Sequence, residues 1–308
     1  LVRAGERAAS LAAAAEARRY FEQAIELTDD DGQRAALLDR AGEMATRAGQ
    51  PDLARPLFEQ SIALYVARED AHAAARVHLR LGTLDAGTGH RDEAIVRLEQ
   101  VLAAIADDEP DEDLAYLAAS LALGHWFSGD LDRAAARAEL ALDIAEAHTY
   151  AKPLARALRA KAGIAFSRGH PQEGDALLKQ ALEIALAHDI VDEAGVCYFW
   201  LSDRCFQRDT YPDALGYLDE ALALARRLGN RPQEWATISE RTYPLFMMGR
   251  WEEALAAGED FTQEQVDSGG TVLSLLQTLV TYLSDARLDW TAVSPTMKGC
   301  LCLRPCGP

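Results

Sequence analysis

Lysine is nearly missing from this sequence. Four occur in 308 residues, Lys152, Lys161, Lys179 and Lys298, and even with the arginines the chain keeps a net charge of −18. Nucleic acid is gripped by a basic stripe and an anionic bilayer by a basic patch, so neither is an expected partner. No run of 18 apolar residues occurs, so no membrane-spanning helix is expected. No Gly-Lys pair exists, which removes the G-x-x-x-x-G-K-[ST] phosphate loop. The seven histidines, His72, His78, His90, His125, His148, His170 and His188, are scattered, with no H-E-x-x-H spacing. No nucleophile stands beside a paired base. These absences predict a chain that is not an enzyme and holds neither cofactor nor metal. The first 290 residues contain two cysteines, Cys197 and Cys205. Both read as buried thiols of a reducing compartment, hence a cytoplasmic location. The chain opens on Leu1 with no charged-then-apolar leader, which reads as a cut through a longer protein.

What is abundant is repetition. Gly249-Arg250-Trp251-Glu252-Glu253-Ala254-Leu255 is a turn glycine, an acidic helix start and a small residue in an apolar helix. The same form recurs every 40 residues towards the N-terminus, at Asp209, Gly169, Gly129, Gly89 and Gly49. Each unit reads as two helices. The first carries a Leu-Gly or Leu-Ala pair, such as Leu81-Gly82 and Leu121-Ala122. The second carries small, large and small residues at spacings of four and three. Ala17, Phe21 and Ala24 show the pattern, as do Ala54, Phe58 and Ser61, and Ala214, Leu218 and Ala221. That spacing puts all three on one helix face. Each unit must bury its apolar face on its neighbours, so a fixed period predicts a stacked array. The expected fold is all-α, a right-handed superhelical solenoid of antiparallel helix pairs. Seven pairs and the first helix of an eighth fill residues 1–290, and residues 291–308 form an irregular tail.

These units resemble tetratricopeptide repeats of a long-period kind. The segments Ala4 to Ala8, Tyr20 to Ala24 and Ala225 to Asn230 are similar to the C-terminal arrays of bacterial LuxR-type regulators, including the maltose-activator branch. They also resemble the arrays of ATPases linked to class III adenylate cyclases. Asp209, where other turns carry Gly, and Pro244, inside a first helix, depart from the pattern. The resemblance implies a protein- or peptide-binding and sensing array of a larger cytoplasmic signalling or transcription regulator. Its alternative is a receptor for a sugar-like inducer.

Trp126, Phe166, Phe206 and Phe246 stand 40 residues apart, each three before a turn position. Thr46 and Ala86 hold that place in earlier units. In arrays of this kind first helices line the inner face, so the column is a candidate groove floor, together with Tyr116, Phe199, Trp200 and Tyr243. Arg76, Arg80, Arg156 and Arg159 fall on the same side and suit an acidic or carboxylate-bearing segment. An aromatic at this place also packs between adjacent first helices, so both roles stay open.

The C-terminal stretch changes character. Residues 271–288 are apolar at helical spacing and read as the lone first helix of the eighth unit. The tail after it holds three prolines and three cysteines in 18 residues. Cys300, Cys302 and Cys306 lack a fourth ligand and a histidine for a zinc site, and the tail reads as a broken array end. The apolar face of residues 272–283 is then a candidate surface for self-association.

Overall fold

The computed structural model describes residues 1–106, 108–250, 252–254 and 256, and among them it has thirteen helices and no strand. The pairs run in chain order. They are α1 (Val2–Ser10) with α2 (Ala14–Glu26), α3 (Asp31–Arg47) with α4 (Pro51–Ala67), and α5 (Ala71–Gly87) with α6 (Arg91–Ile105). Next come α7 (Glu112–Phe127) with α8 (Leu131–His148), α9 (Ala151–Ser167) with α10 (Pro171–Ala187), α11 (Val191–Phe206) with α12 (Tyr211–Leu228), and then α13 (Arg231–Met247). Pro244 lies inside α13, whose helical run continues through it. The segments expected as an eighth first helix (271–288), as a self-association face (272–283) and as an irregular tail (291–308) lie outside the described residues.

The helices between the third and the thirteenth are mostly 16 to 18 residues long. Turns between them are short, so the 40-residue period is spent on helix. Most turns are closed by a hydrogen bond that reaches back over the last helical turn. The His90 amide donates to the Asp85 carbonyl at 2.8 Å, and the Asp130 amide to the His125 carbonyl at 2.9 Å. This closure needs a left-handed residue just before the donor. Gly49, Gly89, Gly129, Gly169 and Gly249 supply it, with φ between 74° and 92°. Asp209 takes the same conformation with φ 56° despite its side chain. The first helices α3, α5 and α7 begin on acidic caps: Asp30, Asp70 and Asp111 accept from the amides of Gln33, Ala73 and Leu114.

The small-large-small face is the core. Ala17, Phe21, Ala24, Ala54, Phe58 and Ser61 are all buried, and so are Ala214, Leu218 and Ala221. The large residue enters the partner helix at a glycine, which in one pair is that of Leu81-Gly82. A Cβ on Gly5 would meet the Phe21 ring at 2.7 Å, one on Gly42 the Phe58 ring at 2.6 Å, and one on Gly82 a Leu98 methyl at 2.9 Å. Where the first helix has Ala122 instead of Gly, the knob is Ala138. Side-chain volume is thus traded across the pair while the packing density of an interior is kept. Second helices are also pinned by charge, since the buried Asp85 accepts from Arg55 and Arg97, each at 2.5 Å.

Two compact units divide the chain. One comprises Leu1–Leu201 with Ala223–Arg231, and the other Ser202–Leu222 with the described residues from Pro232 onward. In the first, first helices pack on their own partners and, from α3 to α9, on the next first helix, as α7 does on α8 and α9. Its last turn returns to its first: a Cβ on Gly229 would lie 2.5 Å from the Ala12 carbonyl oxygen. In the second, Leu215, Leu245 and Ala254 form a small core with Met248 against it.

Candidate functional site

The first unit contains a groove of about 520 Å³. Side chains three and four residues apart on successive first helices build it, because that spacing puts them on one face. Glu43, Thr46 and Arg47 come from α3, and Arg76, Leu79, Arg80 and Thr83 from α5. Glu112, Asp113 and Tyr116 come from α7, and Lys152 and Arg156 from α9. Asp189, Val191 and Asp192 close one side at the start of α11, and Leu228 contributes from the end of α12 and Asn230 from the turn before α13.

The cations of this wall are engaged. Arg80 pairs with Asp39 one repeat back, and Arg76 pairs with Asp113 one repeat on at 2.5 Å. Lys152 reaches Asp192 at 3.3 Å. Arg156 donates to Glu193 at 2.5 Å and to the Ser120 hydroxyl at 2.9 Å. Arg159 meets the other Glu193 oxygen at 3.0 Å. A chain of ion pairs therefore links α3, α5, α9 and α11 to their neighbours along the groove. Tyr116 lies under two cations, with the Arg156 guanidinium 4.2 Å and the Lys152 ammonium 4.8 Å from its ring centre.

Burial sets the electrostatics. Removing Glu193 from water would raise its carboxyl, but Arg156 and Arg159 outweigh that and hold it at about 2. For Asp39 and Asp113 the balance falls the other way. Burial raises each carboxyl more than Arg80 or Arg76 lowers it. The ion-pair network thus mixes one deeply ionised carboxylate with two that hold protons more readily than free aspartate.

Of the residues expected to line a groove, Arg76, Arg80, Tyr116 and Arg156 do so here. Arg159 is buried behind the wall, held by Glu193, with its guanidinium 5.2 Å from the Trp200 ring centre. The aromatic column divides. Trp126 lies over Gly163 of α9, meets the Trp200 ring at 4.9 Å with a tilt of 42°, and donates its Nε1–H to the Ser167 hydroxyl at 2.9 Å. Phe166 lies over Gly174 of α10. Both stay half-buried, as does Phe199. Glycine one helix away leaves room for these rings, which turns them towards neighbouring helices. In the second unit Phe206 is buried and meets Tyr243 edge-on at 5.5 Å, and Phe246 is half-buried. Asp113, Lys152 and Asp192 complete the wall, and Asp39 and Glu193 hold its arginines from behind; none of the five is singled out by the sequence. Their signal was opposite charge about one period apart, as in Arg76 and Asp113 or Lys152 and Asp192.

Residues 33–107 match the tetratricopeptide repeat family. The fold is shared with a Rap protein solved in complex with competence and sporulation factor. That match has a TM-score of 0.60 and 14% identity, and it covers 92% of this chain and 74% of that one. A tetratricopeptide repeat protein from Parabacteroides merdae ATCC 43184 gives 0.54 at 12% identity, covering 92% and 97%. Aspartyl phosphate phosphatase F from Bacillus subtilis gives 0.53 at 14% identity, covering 91% and 77%. At such identities the likeness speaks for the fold alone. No curated protein matches the sequence.

Proposed function

We propose, on the premise that this chain is a tetratricopeptide-repeat array, that it is a non-catalytic docking and sensing module whose groove takes an extended peptide segment. The observation that carries this reading is the make-up of the groove wall. Five carboxylates and five cations alternate there with Leu79, Tyr116, Val191 and Leu228. An extended peptide offers alternating main-chain donors and acceptors, with side chains to either side, and suits a wall of both signs. The Rap protein of like fold is itself complexed with competence and sporulation factor, which favours the same use of the fold here. The parent molecule in this reading is a larger cytoplasmic bacterial regulator of the LuxR or signalling-ATPase kind, with the array as its sensor.

Selection of a displayed peptide library against the full chain tests the reading. Selected peptides are then titrated calorimetrically into the protein and into Thr83→Trp, which fills the groove from an exposed position on α5. Loss of at least tenfold in affinity is expected. Undiminished binding to Thr83→Trp overturns it. So does a failure to select any peptide, and one-to-one binding of a sugar from a saccharide panel would then favour the inducer receptor.

A further inference from the structure

We infer that His72, Asp111 and Asp113 form a site for one first-row divalent cation of the zinc class, joining the N-terminal ends of α5 and α7. Three ligand atoms, one from each residue, lie within 4.8 Å of one another. Each residue has one atom already committed and a second available. The His72 Nε2 is 3.1 Å from Asp108 Oδ2 in hydrogen-bond alignment. In the tautomer that donates there, Nδ1 carries the lone pair. Asp111 Oδ1 accepts the Leu114 amide at 2.9 Å, which leaves Oδ2. Asp113 Oδ2 accepts from Arg76 at 2.5 Å, which leaves Oδ1. Ligands whose far atoms are fixed by a carboxylate, a backbone amide and a guanidinium have the outer support that metal ligands require.

The second observation concerns Nδ1 itself. It is shielded from solvent and makes no hydrogen bond, yet it lies 2.8 Å from Asp111 Oδ2. The two atoms are close but not aligned, so a proton on Nδ1 would not point at the carboxylate. A lone pair and a carboxylate oxygen at that distance repel unless a cation lies beside both. Two ligands each about 2.1 Å from one ion, at about a right angle, are about 3 Å apart. The off-axis contact therefore has the geometry of neighbouring ligands of a single ion. Charge agrees, since Asp108 and Asp111 both lie against His72 and Asp113 is paired with one guanidinium, that of Arg76. One imidazole nitrogen with two carboxylate oxygens suits zinc and its first-row neighbours over calcium or magnesium. Water or a partner group completes the coordination. The bound ion would tie two successive repeats, and the proposal stands whatever the groove takes.

Calorimetric titration with Zn²⁺ tests this in the full chain with Cys300, Cys302 and Cys306 replaced by serine, so that tail thiols do not compete. One equivalent is expected to bind, and His72→Gln and Asp113→Asn should each weaken binding at least tenfold. Circular dichroism checks that both variants keep their helix. Should either lose it, X-ray absorption of the zinc-loaded parent decides by showing one imidazole and otherwise oxygen ligands. Absence of stoichiometric uptake overturns the site. So does an affinity unchanged by His72→Gln, or a zinc shell without imidazole, either of which marks adventitious binding only.

Discussion

Glu193 at the start of α11 is 1% exposed and holds two arginines of α9, Arg156 at 2.5 Å and Arg159 at 3.0 Å. One carboxylate thus carries the joint between two repeats. Removing one member of a buried ion pair leaves its partner charged and dry, at a cost of about 3–5 kcal/mol. Glu193→Gln should therefore lower stability by about that amount in urea unfolding followed by circular dichroism. A change under about 1 kcal/mol would show that water already reaches the arginines.

The same carboxylate sets a pH dependence. Its folded value of about 2 lies below the ordinary 4.5, so the stabilisation is complete above about 4.5 and is lost as pH falls towards 2. Asp39 and Asp113 work in the opposite sense, because their raised values favour the folded state when protonated. Unfolding midpoints measured from pH 6 to pH 2 should fall most steeply below 4.5. In Glu193→Gln that steep part should flatten. An equally steep fall in the variant would assign the acid sensitivity to other groups.

Phe58 and Gly42 fit as knob and hole, with no room for a Cβ on the glycine. Phe58→Ala should cost about 3–5 kcal/mol through the cavity it leaves. Gly42→Ala should cost about 1–3 kcal/mol through overpacking. The double variant should be more stable than the sum of the two costs implies, since the new methyl enters the space the ring vacates. Additive costs in the cycle would mean that the two residues do not share that space.

This pair also shows what could be read from sequence. Volume at a fixed place in a period is visible in the letters. The knobs Phe21, Phe58 and Leu98 and the pair Leu81-Gly82 can be placed from the sequence alone. The groove wall was only half visible. Arg76, Arg80 and Arg156 fell on the right face, but their partners Asp113, Asp39 and Glu193 sit 37 to 41 residues away. Only the stacking of units brings them near. Trp126 and Phe166 carry the right period, yet the direction of each ring is decided by Gly163 and Gly174, on other helices. Periodicity locates a residue on a face, and the neighbouring helix decides where its side chain goes.

Cys197 is fully buried, and burial pushes its thiol up to about 12. Thiolate is the reactive form, so this thiol should resist a disulfide reagent at pH 8 in the folded protein and react once urea unfolds it. Mass spectrometry of digests assigns the label to its residue. Labelling of Cys197 at the rate of an exposed thiol would show that α11 opens readily.

Gly89 and Asp209 occupy the same turn position with φ of 92° and 56°. Around Gly89 a Cβ would meet nothing within 4 Å, so the cost of a side chain there is backbone strain alone. Gly89→Ala should destabilise by about 1–2 kcal/mol, the penalty for a left-handed residue with a Cβ. Asp209→Gly relieves the same strain and should stabilise, by about 0.5–1 kcal/mol after the added freedom of glycine in the unfolded chain is counted. The substitution also removes the bond from the Tyr211 hydroxyl to Asp209 Oδ1 at 2.6 Å. That bond is the first cause holding the phenol up at about 12, so the Tyr211 titration should fall towards 10 in the variant. Urea unfolding and a spectrophotometric tyrosine titration read the two effects separately. Destabilisation by Asp209→Gly together with a lowered phenol value would mean that the hydrogen bond outweighs the strain, reversing the order argued here.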